Sequence, residues 1–192
     1  MTNIANILTM SRIAAIPLIA ALLFFNDPLL RWLAFALYAI ACITDFFDGY
    51  IARRMAQVSA LGRFLDPIAD KLVIAAILMV MTAHGQISGW VVLPALIILC
   101  REIMVSGLRE YLAELKVGVP VSILAKWKTT MQMLALAFLI VGDAGPREFP
   151  TQTIGEGLLW LAAGLTVITG YDYLRVGLKH MTADSRGDGP RS

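Results

Sequence analysis

Charge is scarce in this chain: 16% of its 192 residues are Asp, Glu, Lys or Arg, while 58% are hydrophobic. Soluble domains carry about a quarter charged residues, so the deficit excludes a disordered chain and a soluble two-domain enzyme. Cysteine is nearly missing as well. Cys42 and Cys100 both sit inside apolar runs, which excludes a disulfide framework and a thiolate metal site. The two histidines, His84 and His180, stand far from the other chemistry-bearing residues. A net charge of +2 is too small to suggest nucleic acid, and no nucleic-acid partner is expected.

What is abundant is apolar sequence, in six runs at about 7–25, 29–51, 72–83, 90–105, 123–141 and 158–173. One membrane-spanning helix uses about 20 residues, so six spans take roughly 120 and eight do not fit. The third and fourth runs reach full length only if they include neighbouring charged residues. The first run is expected to stay in the membrane rather than act as a signal peptide, because 2–12 lacks a basic stretch ahead of the apolar one. Residues 3–12 place Ile4, Ile7 and Leu8 at a spacing suited to a helix lying on the bilayer surface. The expected fold is therefore all-α: an integral membrane bundle of six transmembrane helices with a short amino-terminal juxtamembrane helix. One domain is expected over 1–180, with a disordered tail over 181–192 rich in Gly, Asp, Arg and Ser.

Six spans return the chain to the side where it began. Of the 16 Lys and Arg residues, only Arg31 and Arg147 fall on the opposite side. Basic residues are retained in the cytoplasm, so both termini are expected there, and a bacterial inner membrane is the expected location.

The densest signal is acidic. Asp45 and Asp48 are three residues apart near the end of the second run; Asp66 and Asp70 are four apart before the third. On helices each pair projects from one face, and the short intervening turn folds the two faces together. Four carboxylates crowded in this way repel one another unless a cation compensates them. An all-oxygen set with no His or Cys nearby suits Mg²⁺, Mn²⁺ or Ca²⁺ rather than Zn²⁺. The competing reading is neutralisation by Arg53, Arg54, Arg63 and Lys71 as helix-end ion pairs. Gly49 and Ala52 beside the acids permit close approach of a helix or a ligand. Arg53, one turn beyond Gly49, is suited to forking onto phosphate oxygens.

From Asp45 to Asp70 the chain reads D-x2-D-G-x2-A-R-x8-G-x3-D-x3-D, which resembles the signature of the CDP-alcohol phosphatidyltransferases with every position filled. Together with the six-run layout the resemblance covers nearly the whole chain. It implies a membrane enzyme that moves a phosphatidyl group from a CDP-lipid, CDP-diacylglycerol, to an alcohol and releases CMP. It further implies that Asp45, Asp48, Asp66 and Asp70 hold two divalent ions, Mg²⁺ or Mn²⁺, and that Asp70 is also the general base. By the same resemblance Gly49, Ala52, Arg53, Ser59, Gly62 and Asn6 bind the CDP-lipid.

The acceptor is read from a second set of charges. Arg101 and Arg109, eight residues apart, lie near one helical face, and Lys126 and Lys128 enter the fifth run. Singly, each is accounted for by a positive collar on anionic lipid heads. Together they suit an acceptor that already carries a phosphate, since Arg clamps phosphate with paired hydrogen bonds. The stretch R-E-I-x3-G-L-R-E-x2-A-E-L from Arg101, K-x-K-T-T from Lys126 and N-x-L-T-x2-R-x4-P from Asn6 to Pro17 resemble the branch of that family using glycerol 3-phosphate.

Serine, inositol and inositol phosphate are the alternative acceptors. A prenyltransferase acting on a diphosphate has differently spaced motifs. A transporter would place ionisable groups near the bilayer midplane, whereas here they cluster at one end. Asp172 and Arg175 are expected to form a local ion pair, the alternative being that they complete the phosphate pocket. Trp32, Trp90 and Trp160 are expected at the membrane interface. Gly155, Gly157, Ala162, Ala163 and Gly164 permit either a homodimer or internal packing.

Overall fold

The computed structural model describes the backbone of residues 4–25, 27–55, 60–114 and 122–185, and their side chains except at 4–8, 45–55, 60–64, 66, 67, 70, 114, 176 and 179–185. Six α-helices account for almost all of it: α1 (Ile4–Phe24), α2 (Pro28–Met55), α3 (Ala60–Ala83), α4 (Val92–Glu114), α5 (Ile123–Val141) and α6 (Thr151–Ser185).

Local chemistry sets several ends. Asp27 Oδ1 accepts from the Leu29 and Leu30 amides at 2.9 and 3.2 Å, and Pro28 follows at a position where its missing N–H costs nothing. Ser122 caps α5 by accepting from the Ala125 amide at 3.2 Å. Beyond Val141 the chain turns through Gly142, whose φ of +44° few other residues adopt.

Contacts between helices fix their directions. Arg31 of α2 reaches Ile140 of α5, and Tyr38 reaches Met133, so α2 and α5 run antiparallel. Gly155 of α6 lies against Leu139 of α5, which makes that pair antiparallel too, whereas Gly170 and Gly177 lie against Arg101 and Leu108, so α4 and α6 run parallel. Phe24 meets His84 edge-on, putting the last turns of α1 and α3 together. The helices therefore alternate up and down. One end of the bundle gathers the last turns of α2, α4 and α6 and the first turns of α1, α3 and α5.

The core is made of Leu23, Ile77, Met81, Ile98, Leu136, Leu139 and Leu159 with small residues between them. Gly155, Ala162 and Ala163 are buried where α6 approaches α5, whereas Gly157 and Gly164 face open space. Gly155, Ala162 and Ala163 thus serve internal packing. The outside is apolar as well: Ile40, Met79, Trp90, Ile103 and Ile123 are all more than half exposed, the inverse of a water-soluble surface.

Among the described residues, three segments are long and apolar enough to cross a membrane, Gly89–Ala113, Ile123–Ala144 and Thr151–Arg175. Three shorter apolar stretches, Thr9–Phe24, Pro28–Thr44 and Lys71–Ala83, belong to α1, α2 and α3. The separate juxtamembrane helix expected at the amino end is not formed: its described part is continuous with α1, since no Gly or Pro interrupts residues 4–16. The fourth helix does not stop where its apolar run stops. It continues past Val105 through Arg109 to Glu114. Likewise α6 runs through Ser185, and the rest of the expected tail, 186–192, lies outside the described residues.

Candidate functional site

The acidic signature occupies the last turns of α2 and the first turns of α3. Asp45, Asp48, Gly49, Ala52 and Arg53 are on α2; Gly62, Asp66 and Asp70 are on α3; Asn6 is on α1. All therefore belong to the same end of the bundle. Their side chains lie outside those described, and Ser59 lies outside the described residues altogether. Among the described residues no three His, Cys, Asp or Glu side chains come together. The donor set offered by the four aspartate positions is all oxygen, the chemistry that hard divalent cations take.

Beside this stretch is a cavity of about 300 Å³ lined by Lys71, Arg101, Glu102, Ser106, Arg109 and Glu110, with Val105 and Ala113. Lys71 directly follows Asp70 on α3, and the other lining residues come from α4. The cavity is thus walled by three cations and two carboxylates.

The two arginines are held differently. Arg109 is exposed. Arg101 is 9% exposed; its Nη2 donates to Thr169 Oγ1 at 3.1 Å and its Nη1 to Glu102 Oε1 at 3.3 Å. Its guanidinium carbon sits 5.8 Å from the centre of the Tyr173 ring, within cation–π range. Lys128 is buried and donates from Nζ to the same Glu102 Oε1, while Lys126 is exposed and off the cavity wall. On a helix, residues two apart point about 200° away from each other, so these two lysines cannot share a role by proximity alone.

Sequence reasoning did not place Lys71, Glu102 or Thr169 at the acceptor pocket. Lys71 had a signal, its adjacency to Asp70. Glu102 had one as well, its place beside Arg101 in the R-E-I-x3-G-L-R-E stretch. Thr169 had none, lying in an apolar run and meeting Arg101 only in three dimensions. The expected Asp172–Arg175 pair is not formed; both side chains are exposed, where water competes effectively with an ion pair.

Two comparisons bear on this arrangement. The family model for CDP-alcohol phosphatidyltransferase matches residues 2–168. A protein of Rickettsia bellii (strain RML369-C) is 48% identical over 178 residues, covering 93% of this chain and 97% of its own length. One from Pseudomonas fluorescens is 39% identical over 189 residues, covering 96% and 94%. A third, from Cereibacter sphaeroides, is 38% identical and covers 93% and 97%. All three are named CDP-diacylglycerol--glycerol-3-phosphate 3-phosphatidyltransferase.

Proposed function

The chain belongs to the CDP-alcohol phosphatidyltransferase family, and from that premise we propose that it transfers the phosphatidyl group of CDP-diacylglycerol to glycerol 3-phosphate, giving phosphatidylglycerophosphate and CMP. The names and high coverage of its relatives support the reaction. The observation that carries a phosphorylated acceptor is the cavity where Lys71, Arg101 and Arg109 converge beside the acidic signature, and the relatives' names favour glycerol 3-phosphate over inositol phosphate. An uncharged alcohol has no use for three cations; a phosphorylated one does.

In the reaction a primary hydroxyl oxygen of glycerol 3-phosphate bonds to the phosphatidyl phosphorus, the phosphoanhydride bond breaks, and CMP leaves with the electron pair. Asp45, Asp48, Asp66 and Asp70 would hold the divalent ions, Mg²⁺ or Mn²⁺, which when bound neutralise the diphosphate and stabilise the leaving phosphate. Asp70 takes the hydroxyl proton. Gly49 and Ala52 leave room for the nucleotide, Arg53 bonds its diphosphate, and Asn6, Ser59 and Gly62 complete the donor site. Arg101 and Arg109 grip the acceptor phosphate, and Lys71 next to Asp70 lies where the two substrates meet. Lys126 and Lys128 add positive charge at the same end.

In this reading each of the six helices crosses the membrane. At about 1.5 Å per residue, even the 19 residues of α5 extend about 28 Å, close to the hydrocarbon thickness of about 30 Å. The site then opens on the side where the basic residues collect, the cytoplasmic face of a bacterial inner membrane, with both termini there. The test is direct: supply the purified protein with CDP-diacylglycerol and Mg²⁺, add glycerol 3-phosphate, serine, inositol or inositol phosphate separately, and measure CMP release. CMP release with glycerol 3-phosphate above all others is expected. Equal or greater release with any other acceptor overturns the assignment.

A further inference from the structure

Arg101 is built into α6. Its stem crosses Gly170 so closely that a Cβ there would come within 3.1 Å of Arg101 Cγ. Thr169 Oγ1 receives its Nη2, and the same hydroxyl sits 2.8 Å from the Leu165 carbonyl one turn earlier. Glu102, its neighbour in sequence, receives its Nη1. The Nε–H remains without a partner among the described residues.

Left to itself, a carboxylate beside an arginine on a cavity wall defeats anion binding. It pairs with the guanidinium, competes with an incoming phosphate and repels it. Here the same Glu102 oxygen is also held by Lys128 Nζ. Lys128 does not line the cavity, and 7% of its side chain is exposed.

We infer that Lys128 and Thr169 are positioning residues for the acceptor pocket: Lys128 shares Glu102 with Arg101 and so takes up part of its charge, Thr169 aims the guanidinium, and Arg101 is thereby presented to the acceptor phosphate as a cation that Glu102 only partly neutralises. The inference rests on the reading of the cavity as the acceptor site. It assigns to Lys128 a part played through Glu102 and Arg101 rather than by touching substrate.

The test uses the full chain in detergent micelles with CDP-diacylglycerol, following the KM of each substrate, kcat and thermal stability. Thr169→Val removes the hydroxyl at nearly constant volume. It should raise the KM for glycerol 3-phosphate about three- to tenfold, the range for one lost hydrogen bond, and leave the KM for CDP-diacylglycerol unchanged. Thr169→Ser restores the hydroxyl and should restore the wild-type value. Lys128→Met should raise the same KM by about tenfold, and adding Glu102→Gln should recover most of that loss, because the competing charge goes too. An unchanged acceptor KM in Thr169→Val, or equal effects of Val and Ser, overturns the inference. So does a Lys128→Met defect that falls on both substrates alike and persists in the double variant. If Lys128→Met fails to fold, the Thr169 pair decides. Failure of the underlying reading looks different: wild-type protein would then turn over with another acceptor and not with glycerol 3-phosphate, or Arg109→Ala would leave acceptor kinetics untouched.

Discussion

Replacing Arg109 with alanine isolates a single phosphate contact. Its side chain is exposed on the cavity wall, so truncation leaves no buried partner behind, and substitutions of that kind change stability by less than about 0.5 kcal/mol. Arg101 is a poorer probe because removing it takes away the donor to Thr169 and opens the seam between α4 and α6. A hydrogen bond to a charged group contributes about 1.5–3 kcal/mol, which corresponds to about 10- to 100-fold in affinity. Water around Arg109 screens the contact and places the expected loss at the lower end, about tenfold.

The assay is CMP release at saturating CDP-diacylglycerol with glycerol 3-phosphate varied. The KM for glycerol 3-phosphate should rise about tenfold with the melting temperature unchanged. Lys126→Ala is the control: it removes an exposed cation from the same end of the bundle but not from the cavity, and should change the KM by less than about twofold. Two results refute the reasoning. One is an Arg109→Ala enzyme with wild-type KM and kcat, and the other is an equal loss in both variants, which would mean a diffuse positive collar rather than a pocket.

The helices were legible because apolar runs broken by Gly, Pro and polar turns mark them directly; α5 begins and ends where its run does. The ends of α4 and α6 were not, since hydropathy falls wherever charge appears while a helix needs only its backbone bonds. In α4 the charged residues after Cys100 are as helical as the apolar ones before it. Arg31 shows a deeper limit. In sequence it marks one side of the membrane, yet it is buried and donates from Nε to Ile140 O at 3.0 Å and from Nη2 to Leu139 O at 3.2 Å, satisfying carbonyls at the end of α5. No local pattern connects residues more than a hundred positions apart. The acidic signature stood out because its spacing is short and helical, whereas the acceptor pocket was only half legible. Arg101 and Arg109 share a cavity as their spacing suggests, but Thr169 carries no motif, and the motif that contains Glu102 does not tell that Lys128 binds it.

Four further outcomes are expected. Excess chelator should abolish turnover, and Asp45→Asn, Asp48→Asn or Asp66→Asn should each remove most of it without loss of folded protein; full activity in any of these conditions contradicts a metal cluster. Asp70→Asn should stop turnover with CDP-diacylglycerol still bound, whereas Arg53→Ala should weaken donor binding, as equilibrium binding to lipid micelles would report. Gly142→Ala should lower the melting temperature, because a φ of +44° strains any other residue by about 1–3 kcal/mol and the new Cβ lands on the Arg31 guanidinium; an unchanged melting temperature would contradict that close approach. The last outcome concerns ionic strength. The cavity wall carries Lys71, Arg101 and Arg109 against Glu102 and Glu110, so its attraction for an anion is a difference between nearby charges, partly open to water. Raising salt from about 0.1 M to 1 M shortens the screening length from about 10 Å to about 3 Å, and an exposed ion pair loses up to about 1 kcal/mol. The KM for glycerol 3-phosphate should therefore rise about two- to fivefold at saturating donor, and in Arg109→Ala the rise should be smaller because one of the screened charges is gone. An uncharged alcohol feels none of this. A KM that stays flat with salt in the wild type, or that rises equally in Arg109→Ala, would mean that the acceptor is not held by this cluster.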